Sequence, residues 1–199
     1  MSLADVVLVD AGGTNIGSVR YALERLGVDA QVSDDPARIC AASHVILPGV
    51  GAAAPGMQRL HDGGLVEVIR GLEQPVLGVC LGMQLLFEHS EEGETQCLGL
   101  IPGRVRRIPG DRRRRVPHMG WNRLKRVADD RLIDGLADDA YTYFVHSFAV
   151  YDEDSTLATV DYGGPFAAVV RHRNFCGMQF HPERSGPVGS TLLKNFLGL

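Results

Sequence analysis

The chain has 199 residues, of which 45% are hydrophobic and 22% charged, a composition ordinary for a globular enzyme with a substantial core. We expect one domain spanning residues 1–199. The formal net charge of −4 gives no general attraction to nucleic acid or to acidic membrane surfaces, so neither partner is expected. The four cysteines are far apart and form no C-x-x-C pair, which indicates neither a zinc site nor a redox motif; no metal and no cofactor are expected.

The N-terminal residues enter an apolar segment directly, without the basic region and cleavage site of a signal peptide. No apolar run approaches the ~20 residues that a membrane span requires. Because the cysteines are also too sparse for a disulfide framework, we expect a reducing, cytoplasmic location.

Strands and helices alternate through the first 90 residues. Val6–Val9 is a compact apolar run that predicts a buried strand, and the loop after it offers Thr14 or Asn15 as a helix N-cap. Apolar residues then recur at helical spacing until Gly27. The segments that follow predict strand, helix, strand, two helices and a central strand, at residues 30–32, 36–42, 45–47, around 57, 65–72 and 75–79.

Closely spaced strands are predicted beyond residue 90, with a helix at the C-terminus. The strands lie near Val105 and Val116 and at residues 141–145, 157–162, 166–170 and 175–180. The helix begins between residues 185 and 190. We therefore expect an α/β protein, a three-layer α/β/α domain with a mixed, mainly parallel sheet, whose site lies at the carboxyl ends of the strands.

The glycine-rich loop Asp10–Asn15 stands where a dinucleotide-binding fingerprint would stand. Asp34 and Asp35 also occur where a ribose-binding acid would be expected. The loop lacks the G-x-G-x-x-G spacing on which that mechanism depends, so nucleotide binding is not expected.

A G-x-C-x-G segment, Gly78–Gly82, joins the central strand to a helical segment at residues 81–87. This is the cysteine form of the nucleophile elbow, in which a tight turn lifts one side chain above the sheet edge. The turn would also aim the backbone N–H of Leu81 at whatever binds Cys80. By itself, the pentapeptide fits a buried core cysteine equally well.

Among seven histidines, His181 has the context of a catalytic base. It follows an apolar strand, and Glu183 stands two positions later. Residues i and i+2 of extended backbone project to the same side, so Glu183 can orient the imidazole, and Pro182 stiffens the pair. Both lie at the edge expected for Cys80, which favours a Cys-His-Glu triad over a surface His-Glu pair.

Two further segments suggest roles beyond the triad. Pro48–Gly51 follows the third strand, and its backbone N–H groups could hold a carbonyl oxygen, although alone it could be a tight turn. Met119, Trp121 and Asn122 combine apolar area with polar groups, as interface residues do, the alternative being a core tryptophan.

The run Arg112–Arg115 lacks interleaved aromatic residues and is interpreted as a solvated hairpin tip, not a nucleic-acid site.

Together, these motifs resemble the class I (triad) glutamine amidotransferases. Gly78–Gln84 matches the nucleophile segment and Phe180–Glu183 the base, and the resemblance extends over essentially the whole chain. The block Val116–Asn122 is similar to the branch of the family that supplies ammonia to a cyclase in histidine biosynthesis. The loop Asp10–Asn15 departs from the family pattern Asp-Tyr-Gly-x-Gly-Asn at the tyrosine and the second glycine.

The resemblance implies a mechanism. Cys80 would attack the side-chain amide of glutamine, while His181 donates a proton to ammonia and later activates water, held by Glu183. The oxyanion would be bound by the N–H of Leu81 and one from the segment that contains Val50. The residues implied in glutamine binding are Gly49, Gly51, Gln84, His146, Ser147 and Phe148.

The resemblance also implies a partner, a cyclase subunit with a (β/α)8 barrel that receives the ammonia in a heterodimer. The products would be imidazole glycerol phosphate and aminoimidazole carboxamide ribonucleotide. The residues implied at this interface are Asn15, Met119, Trp121 and Asn122, and His118 would order the segment without doing chemistry.

Two alternatives remain open at this point. The first is a non-enzymatic, ligand-sensing module that keeps a vestigial triad; intact Cys80, His181 and Glu183 argue against it. The second is the amidotransferase subunit of another pathway, such as anthranilate synthesis, and the block Pro117–Asn122 argues against that.

Overall fold

The computed structural model describes residues 4–10, 15–112, 114–137, 139–151 and 154–199. The strands are β1 Val6–Val9, β2 Gln31–Ser33, β3 His44–Gly49, β4 Val76–Cys80, β5 His89–Ser90, β6 Thr95–Gln96, β7 Arg104–Arg107, β8 His118–Arg123, β9 Lys125–Arg126, β10 Tyr141–His146, β11 Phe148–Val150, β12 Thr156–Asp161, β13 Pro165–His172 and β14 Phe175–Met178. The helices are α1 Ile16–Glu24, α2 Pro36–Ala41, α3 Ala53–Asp62, α4 Leu65–Arg70, α5 Leu81–Leu85 and α6 Gly186–Leu197, with 3-10 turns at Arg131–Ile133 and Pro182–Arg184.

An eight-stranded mixed sheet organises the fold, in the order β2-β1-β3-β4-β14-β13-β12-β9. The first five strands in this order run parallel to one another, and the three remaining pairs, from β14 to β9, are antiparallel. The expectation of a mixed, mainly parallel sheet is therefore confirmed. Two smaller sheets accompany it, the ribbon β10-β8 and the four-stranded β11-β7-β5-β6.

Helices cover both faces of the central sheet, because each buried strand presents apolar side chains on both sides. In β1, Val6 and Leu8 pack into one hydrophobic cluster with residues of α1 and α6. Val7 and Val9 point the other way, into a cluster with residues of α2, α3, α4 and α5. This alternation is the period of a strand, and it confirms the three-layer α/β/α architecture.

The order of elements matches the prediction closely in the first half of the chain and less closely after it. The strand expected near Val116 begins at His118, since Pro117 has no N–H for the ladder with β10. The helix expected to reach Phe87 ends at Leu85. The short strands β5, β6, β9 and β11 were not predicted, because two or three residues are too few to show a period of two.

Asn15 does occupy the N-cap position of α1, but its side chain makes no capping hydrogen bond. The alternative cap, Thr14, lies outside the described residues, as do residues 11–13 of the same loop. Within the part of the chain that the structure describes, no helix is long and apolar enough to cross a membrane.

Candidate active site

Cys80 ends β4 at a sharp turn into α5. Its φ of 54° and ψ of −111° lie in the half of conformational space that favours glycine, so the nucleophile position is strained. The glycines two residues away permit the turn. A Cβ on Gly82 would lie 1.8 Å from the carbonyl oxygen of Leu47, and one on Gly78 would lie 2.6 Å from the backbone of Gly82. The G-x-C-x-G spacing therefore serves the close packing of this elbow against β3.

The predicted triad is assembled at the carboxyl ends of β4 and β14. His181 Nδ1 lies 2.9 Å from Glu183 Oε1, and their side chains are only 9% and 1% exposed. His181 and Cys80 line the same cavity, and the nearby sulfur raises the pKa of the imidazole. Glu183 has a second donor, because Asn15 Nδ2 lies 2.8 Å from the same oxygen. The carboxylate thus holds the ring that faces the sulfur.

The triad side chains stabilise each other's charged forms. Burial lowers the pKa of His181. The interactions with Cys80 and Glu183 raise the pKa by more than burial lowers it, so that it lies at about 10. Burial raises the pKa of Glu183, and the hydrogen bonds from His181 and Asn15 more than reverse this, so the pKa lies below its usual value. The His181–Glu183 pair is an imidazolium and a carboxylate at neutral pH, so the ring carries a proton that it can give to a leaving group in the cavity.

Backbone contacts with β10 hold His181 in place. Its N–H donates to the carbonyl of Tyr143 at 3.0 Å, and its own carbonyl accepts from the hydroxyl of Ser185 at 2.7 Å. The same hydroxyl accepts from the N–H of Tyr143 at 3.0 Å. The base is therefore fixed by a strand that is distant in sequence, and Ser185 was not anticipated as part of the site.

A cavity of about 330 Å³ opens in front of the sulfur. Most of the residues assigned to the site line it, namely Val50, Gly51, Cys80, Leu81, Gln84, His146, Ser147, Phe148 and His181. Glu183 lies behind His181. Gly49 pairs with Cys80 in the β3–β4 ladder, where a Cβ would come within 2.5 Å of the N of Gly82, so it shapes the elbow without lining the cavity.

Two lining residues, Glu92 and Pro117, were not assigned to this cavity from the sequence, and a third, Val145, was implied only as part of the glutamine-binding segment 143–148. Glu92 lies in a charged turn that is typical of a solvated loop, yet it is half-buried, and its Oε2 accepts from the N–H of Ala53 at 2.8 Å. The carbonyl of Val145 lies 3.9 Å from Cys80 Sγ. No local pattern reveals these residues, because they reach the cavity from loops and strands that only the fold brings together.

A buried amide pair forms the floor of the cavity. Gln84 Nε2 lies 2.9 Å from the carbonyl of Phe148 and 2.9 Å from Gln179 Oε1. Because the Oε1 of Gln179 accepts that bond, its Nε2 faces Cys80 Sγ, at 3.9 Å. Gln179 is fully buried and was also missed, although its place two residues before His181 was a signal that could have identified it.

The ribbon of β8 and β10 presents an apolar face beside the cavity. Met119 and Trp121 are 62% and 56% exposed, so Trp121 is not the core tryptophan that the sequence also allowed. Trp121 packs edge-on against Tyr143, with ring centroids 5.9 Å apart. Val145, whose carbonyl approaches Cys80, stands directly opposite Met119 in the ribbon. The exposed face is therefore one residue layer from the nucleophile.

Asn122 and Asn15, the other two residues assigned to an interface, make contacts within this chain. Asn122 is half-buried and donates through Nδ2 to the carbonyl of Asp161 at 3.0 Å. Asn15 lies against the triad.

In the arginine run, Arg114 donates to Asp111 at 3.1 Å and to the carbonyl of Gly163 at 3.3 Å, and Arg113 lies outside the described residues. Across the described ranges, no group of three or more His, Cys, Asp or Glu side chains is arranged to hold a metal.

Comparisons with known proteins agree with this geometry. The family model described as glutamine amidotransferase class-I matches residues 7–198. The chain is 56% identical over 195 residues to the imidazole glycerol phosphate synthase subunit HisH of Xanthomonas euvesicatoria pv. vesicatoria, and 55% identical to that of Xanthomonas axonopodis pv. citri, with 98% of each chain covered in both cases. A crystal structure of a glutamine amidotransferase shares the fold, with a TM-score of 0.76 at 21% identity over 96% of this chain and 97% of that one.

Proposed function

Since this chain belongs to the class I glutamine amidotransferase family, we propose that the cavity beside Cys80 binds glutamine and that the triad releases its side-chain nitrogen as ammonia. The chain is a glutaminase subunit of imidazole glycerol phosphate synthase, in histidine biosynthesis. The observation that carries the assignment of residues is that Cys80 and His181 line one cavity, which is large enough for an amino acid, with His181 Nδ1 held 2.9 Å from Glu183.

The reaction proceeds in two acyl-transfer steps. The sulfur of Cys80 attacks the side-chain amide carbon of glutamine, and the carbonyl oxygen takes the negative charge. Val50 and Leu81 both line the cavity, and their backbone N–H groups are the donors that we propose for this oxyanion. The C–N bond then breaks as the imidazolium of His181 gives its proton to the departing ammonia, which leaves a γ-glutamyl thioester on Cys80.

Water completes the turnover. His181, now neutral, removes a proton from a water molecule that attacks the thioester carbon, and the C–S bond breaks to release glutamate. Glu183 holds the ring through both steps because its Oε1 keeps the hydrogen bond to Nδ1. Asn15 supports this carboxylate and takes no part in bond making.

The polar lining suits the two ends of the substrate's main chain. Glu92 offers a carboxylate to the α-ammonium group. Other polar groups of the lining come from His146, Ser147 and Phe148. The side chain of Gln84 donates to the carbonyl of Phe148 and holds it in place. A ligand without these charged groups would leave buried polar atoms unpaired, which gives the site its selectivity for an amino acid.

The subunit works with a partner subunit, and we propose that this partner is a (β/α)8-barrel cyclase that binds the exposed face of Met119 and Trp121. Ammonia formed at Cys80 would cross beside Val145 into that subunit without escaping to water, yielding imidazole glycerol phosphate and aminoimidazole carboxamide ribonucleotide. Neither nucleic acid nor membrane is proposed as a partner. We further propose that residues 1–199 form one domain and that the protein is cytoplasmic.

The test is the separation of glutamine-dependent from ammonia-dependent synthesis in the complex. Cys80→Ala should abolish synthesis with glutamine and leave synthesis with added ammonium salts intact, because the cyclase chemistry does not use the sulfur. Cys97→Ala is the matched control, a buried cysteine whose pKa burial raises to about 11 and which lies outside the cavity. Loss of both activities in a folded Cys80→Ala complex would contradict the proposed division of labour.

A glutamine-like electrophile distinguishes this proposal from a non-enzymatic module with a vestigial triad. Covalent labelling at Cys80, and not at Cys97, is expected of an active triad. Replacing the cyclase with the partner subunit of anthranilate synthesis should leave the glutaminase unstimulated. Stimulation by that partner would instead support the alternative pathway.

A further inference from the structure

His118 and His146 form a buried pair next to the glutamine cavity. His118 Nδ1 lies 3.0 Å from His146 Nε2, and the two residues are only 3% and 6% exposed. His146 lines the cavity, whereas His118 does not. On its far side, His146 Nδ1 lies 2.8 Å from the carbonyl oxygen of Phe148. The two rings therefore form a chain of hydrogen bonds that ends on the backbone of the cavity wall.

The contact between His146 and Phe148, at the inner end of this series of hydrogen bonds, determines which ring nitrogen carries each proton. A carbonyl oxygen can only accept, so His146 must carry its hydrogen on Nδ1 and donate to Phe148. In a neutral ring Nε2 is then an acceptor, and the donor of the 3.0 Å contact must be Nδ1 of His118. His118 is therefore also protonated at Nδ1, with Nε2 left as an acceptor.

The outer end leads to the same assignment independently. Asn122 Nδ2 donates to the carbonyl of Asp161 at 3.0 Å, while its Oδ1 accepts from the N–H of Arg123 at 2.8 Å, which fixes the orientation of the amide. The same Nδ2 lies 3.4 Å from His118 Nε2. That ring nitrogen must accept, as the inner end requires. One arrangement of hydrogens satisfies every contact from Asn122 to Phe148.

The surroundings keep both rings neutral. Burial lowers the pKa of His118 to about 4, and burial, which outweighs the hydrogen bond to the carbonyl of Phe148, lowers the pKa of His146 to about 3. His118 stacks on Tyr162, with ring centroids 4.0 Å apart, and on Phe144 at 5.0 Å. A second proton on either ring would place two donors face to face, so the tautomers are held as well as the charge.

We propose that His118 is a positioning residue for glutamine binding: its hydrogen bond to Nε2 of His146 fixes the orientation of that ring, which in turn holds the carbonyl of Phe148. This inference rests on the proposed function of the cavity. The carbonyl is the meeting point of two donors, Nδ1 of His146 and Nε2 of Gln84. Without the donor from His118, Nε2 of His146 loses its partner, the ring is free to rotate, and the carbonyl of Phe148 is held less firmly by one of its two donors.

The test uses three substitutions that differ in where they place a donor. His118→Asn keeps an N–H at the position of Nδ1, His118→Gln moves the amide to the position of Nε2, and His118→Phe keeps only the stacking. In the complex with the cyclase, we expect the variants His118→Gln and His118→Phe to raise KM for glutamine about tenfold, which is the effect of one lost hydrogen bond. His118→Asn should stay within about threefold of wild type.

Two measurements separate positioning from general damage. Alkylation of Cys80 by iodoacetamide in the complex should keep its rate in all three variants, because His118 does not line the cavity that contains the sulfur. Nitrogen-15 NMR of the complex, with histidine labelled only in this chain, should show His146 protonated at Nδ1 in wild type, and the Nε2 resonance of His146 should keep its position in His118→Asn and shift in His118→Gln and His118→Phe.

A wild-type His146 protonated at Nε2 would overturn the proposal, and so would an unchanged KM in folded His118→Gln and His118→Phe. If circular dichroism shows that His118→Phe is unfolded, the comparison of KM for glutamine between His118→Asn and His118→Gln still tests the proposal. The NMR assignment does not depend on turnover. A failure of the proposed glutaminase activity would therefore leave the tautomer result standing, which keeps the two hypotheses distinguishable.

Discussion

Asn15 and Glu183, 168 positions apart in the sequence, are joined by a hydrogen bond of 2.8 Å from Nδ2 to Oε1. The same amide lies 3.4 Å from His181 Nδ1. This contact explains why Asn15 leaves the first turn of α1 uncapped, since its side chain is already committed to the triad. The glycine-rich loop before it departs from the family pattern, but the asparagine that reaches the carboxylate is retained.

Asn15→Ala should lower glutaminase kcat about tenfold or more, because a hydrogen bond to a charged group contributes on the order of 1.5–3 kcal/mol. Glu183 would keep only its contact with His181 and orient the ring less firmly. Steady-state glutaminase assays of the complex provide the measurement, with KM for glutamine expected to change less than kcat.

Arg20→Ala is the control for Asn15→Ala, since Arg20 lies on the exposed face of the same helix and pairs with Glu24 at 3.3 Å. Its kcat should equal that of wild type. Asn15→Asp sets a second carboxylate against Glu183 and should be at least as damaging as alanine. An Asn15→Ala enzyme with wild-type kcat would show that Glu183 needs no second donor.

The His181–Glu183 pair should stabilise the protein within a defined pH window. The pKa of Glu183 is lowered in the folded state, so its contribution is present above the ordinary value of 4.5 and is lost as pH falls through the folded pKa. The pKa of His181 is raised, so its contribution is complete below 6.5 and is lost as pH rises toward about 10. The pair therefore stabilises most between these two ordinary values.

Glu183→Gln tests this window through the free energy of unfolding in urea. The difference between wild type and variant should reach about 3 kcal/mol near pH 5.5, since one member of a buried pair is removed. It should shrink on both the acidic and the basic side. Glu73→Gln, at an exposed position, should show no such dependence. If the difference in the free energy of unfolding were constant from pH 4 to 9, the pKa values of His181 and Glu183 would be the same in the folded and unfolded states.

Local patterns in the sequence were enough to predict the α/β/α fold and the residues that the structure brings together as a triad. The elbow at Cys80 and the step of two residues from His181 to Glu183 are each set by backbone geometry within a few positions. The contact partners of Asn15, Glu92 and Gln179 were not predictable in this way, although the position of Gln179 two residues before His181 indicates which side of the strand it faces. Each depends on where the chain returns after tens of residues, and their local surroundings resemble a cap, a solvated turn and a core strand.

Trp121→Ala should weaken binding of the cyclase partner while leaving this chain as stable as wild type. The side chain is 56% exposed, so little buried area is lost from the fold itself. A tryptophan at the centre of an interface contributes about 2 kcal/mol, which corresponds to roughly thirtyfold in Kd. Titration calorimetry with the partner gives Kd, and thermal unfolding of the isolated chain gives Tm.

Tyr21→Ala is a suitable control for Trp121→Ala, because Tyr21 is an aromatic residue on α1 with 63% exposure. Its Kd for the partner should not change. If both variants bound the cyclase as wild type does, the exposed face of the β8–β10 ribbon would not be the docking surface, and the proposed ammonia route beside Val145 would lose its support.

Two glycine-to-alanine substitutions should have opposite effects on stability. At Gly82 the added Cβ would lie 1.8 Å from the carbonyl oxygen of Leu47, so α5 must move away from β3. We expect a loss of about 3 kcal/mol or more and a Tm roughly 6–12 °C lower. At Gly17, in α1, an added Cβ would have no atom within 4 Å, and alanine there should stabilise the helix by about 0.5–1 kcal/mol.

The Gly82 substitution also probes the nucleophile, because Cys80 is held in its strained conformation by the packing of the same turn. Glutaminase activity of Gly82→Ala should fall further than the fraction of unfolded protein explains, and alkylation of Cys80 by iodoacetamide should change in rate. Gly17→Ala should alter neither. A stable Gly82→Ala enzyme with full activity would show that the elbow tolerates a shift of α5, and that the glycine spacing around Cys80 does not arise from its contact with β3.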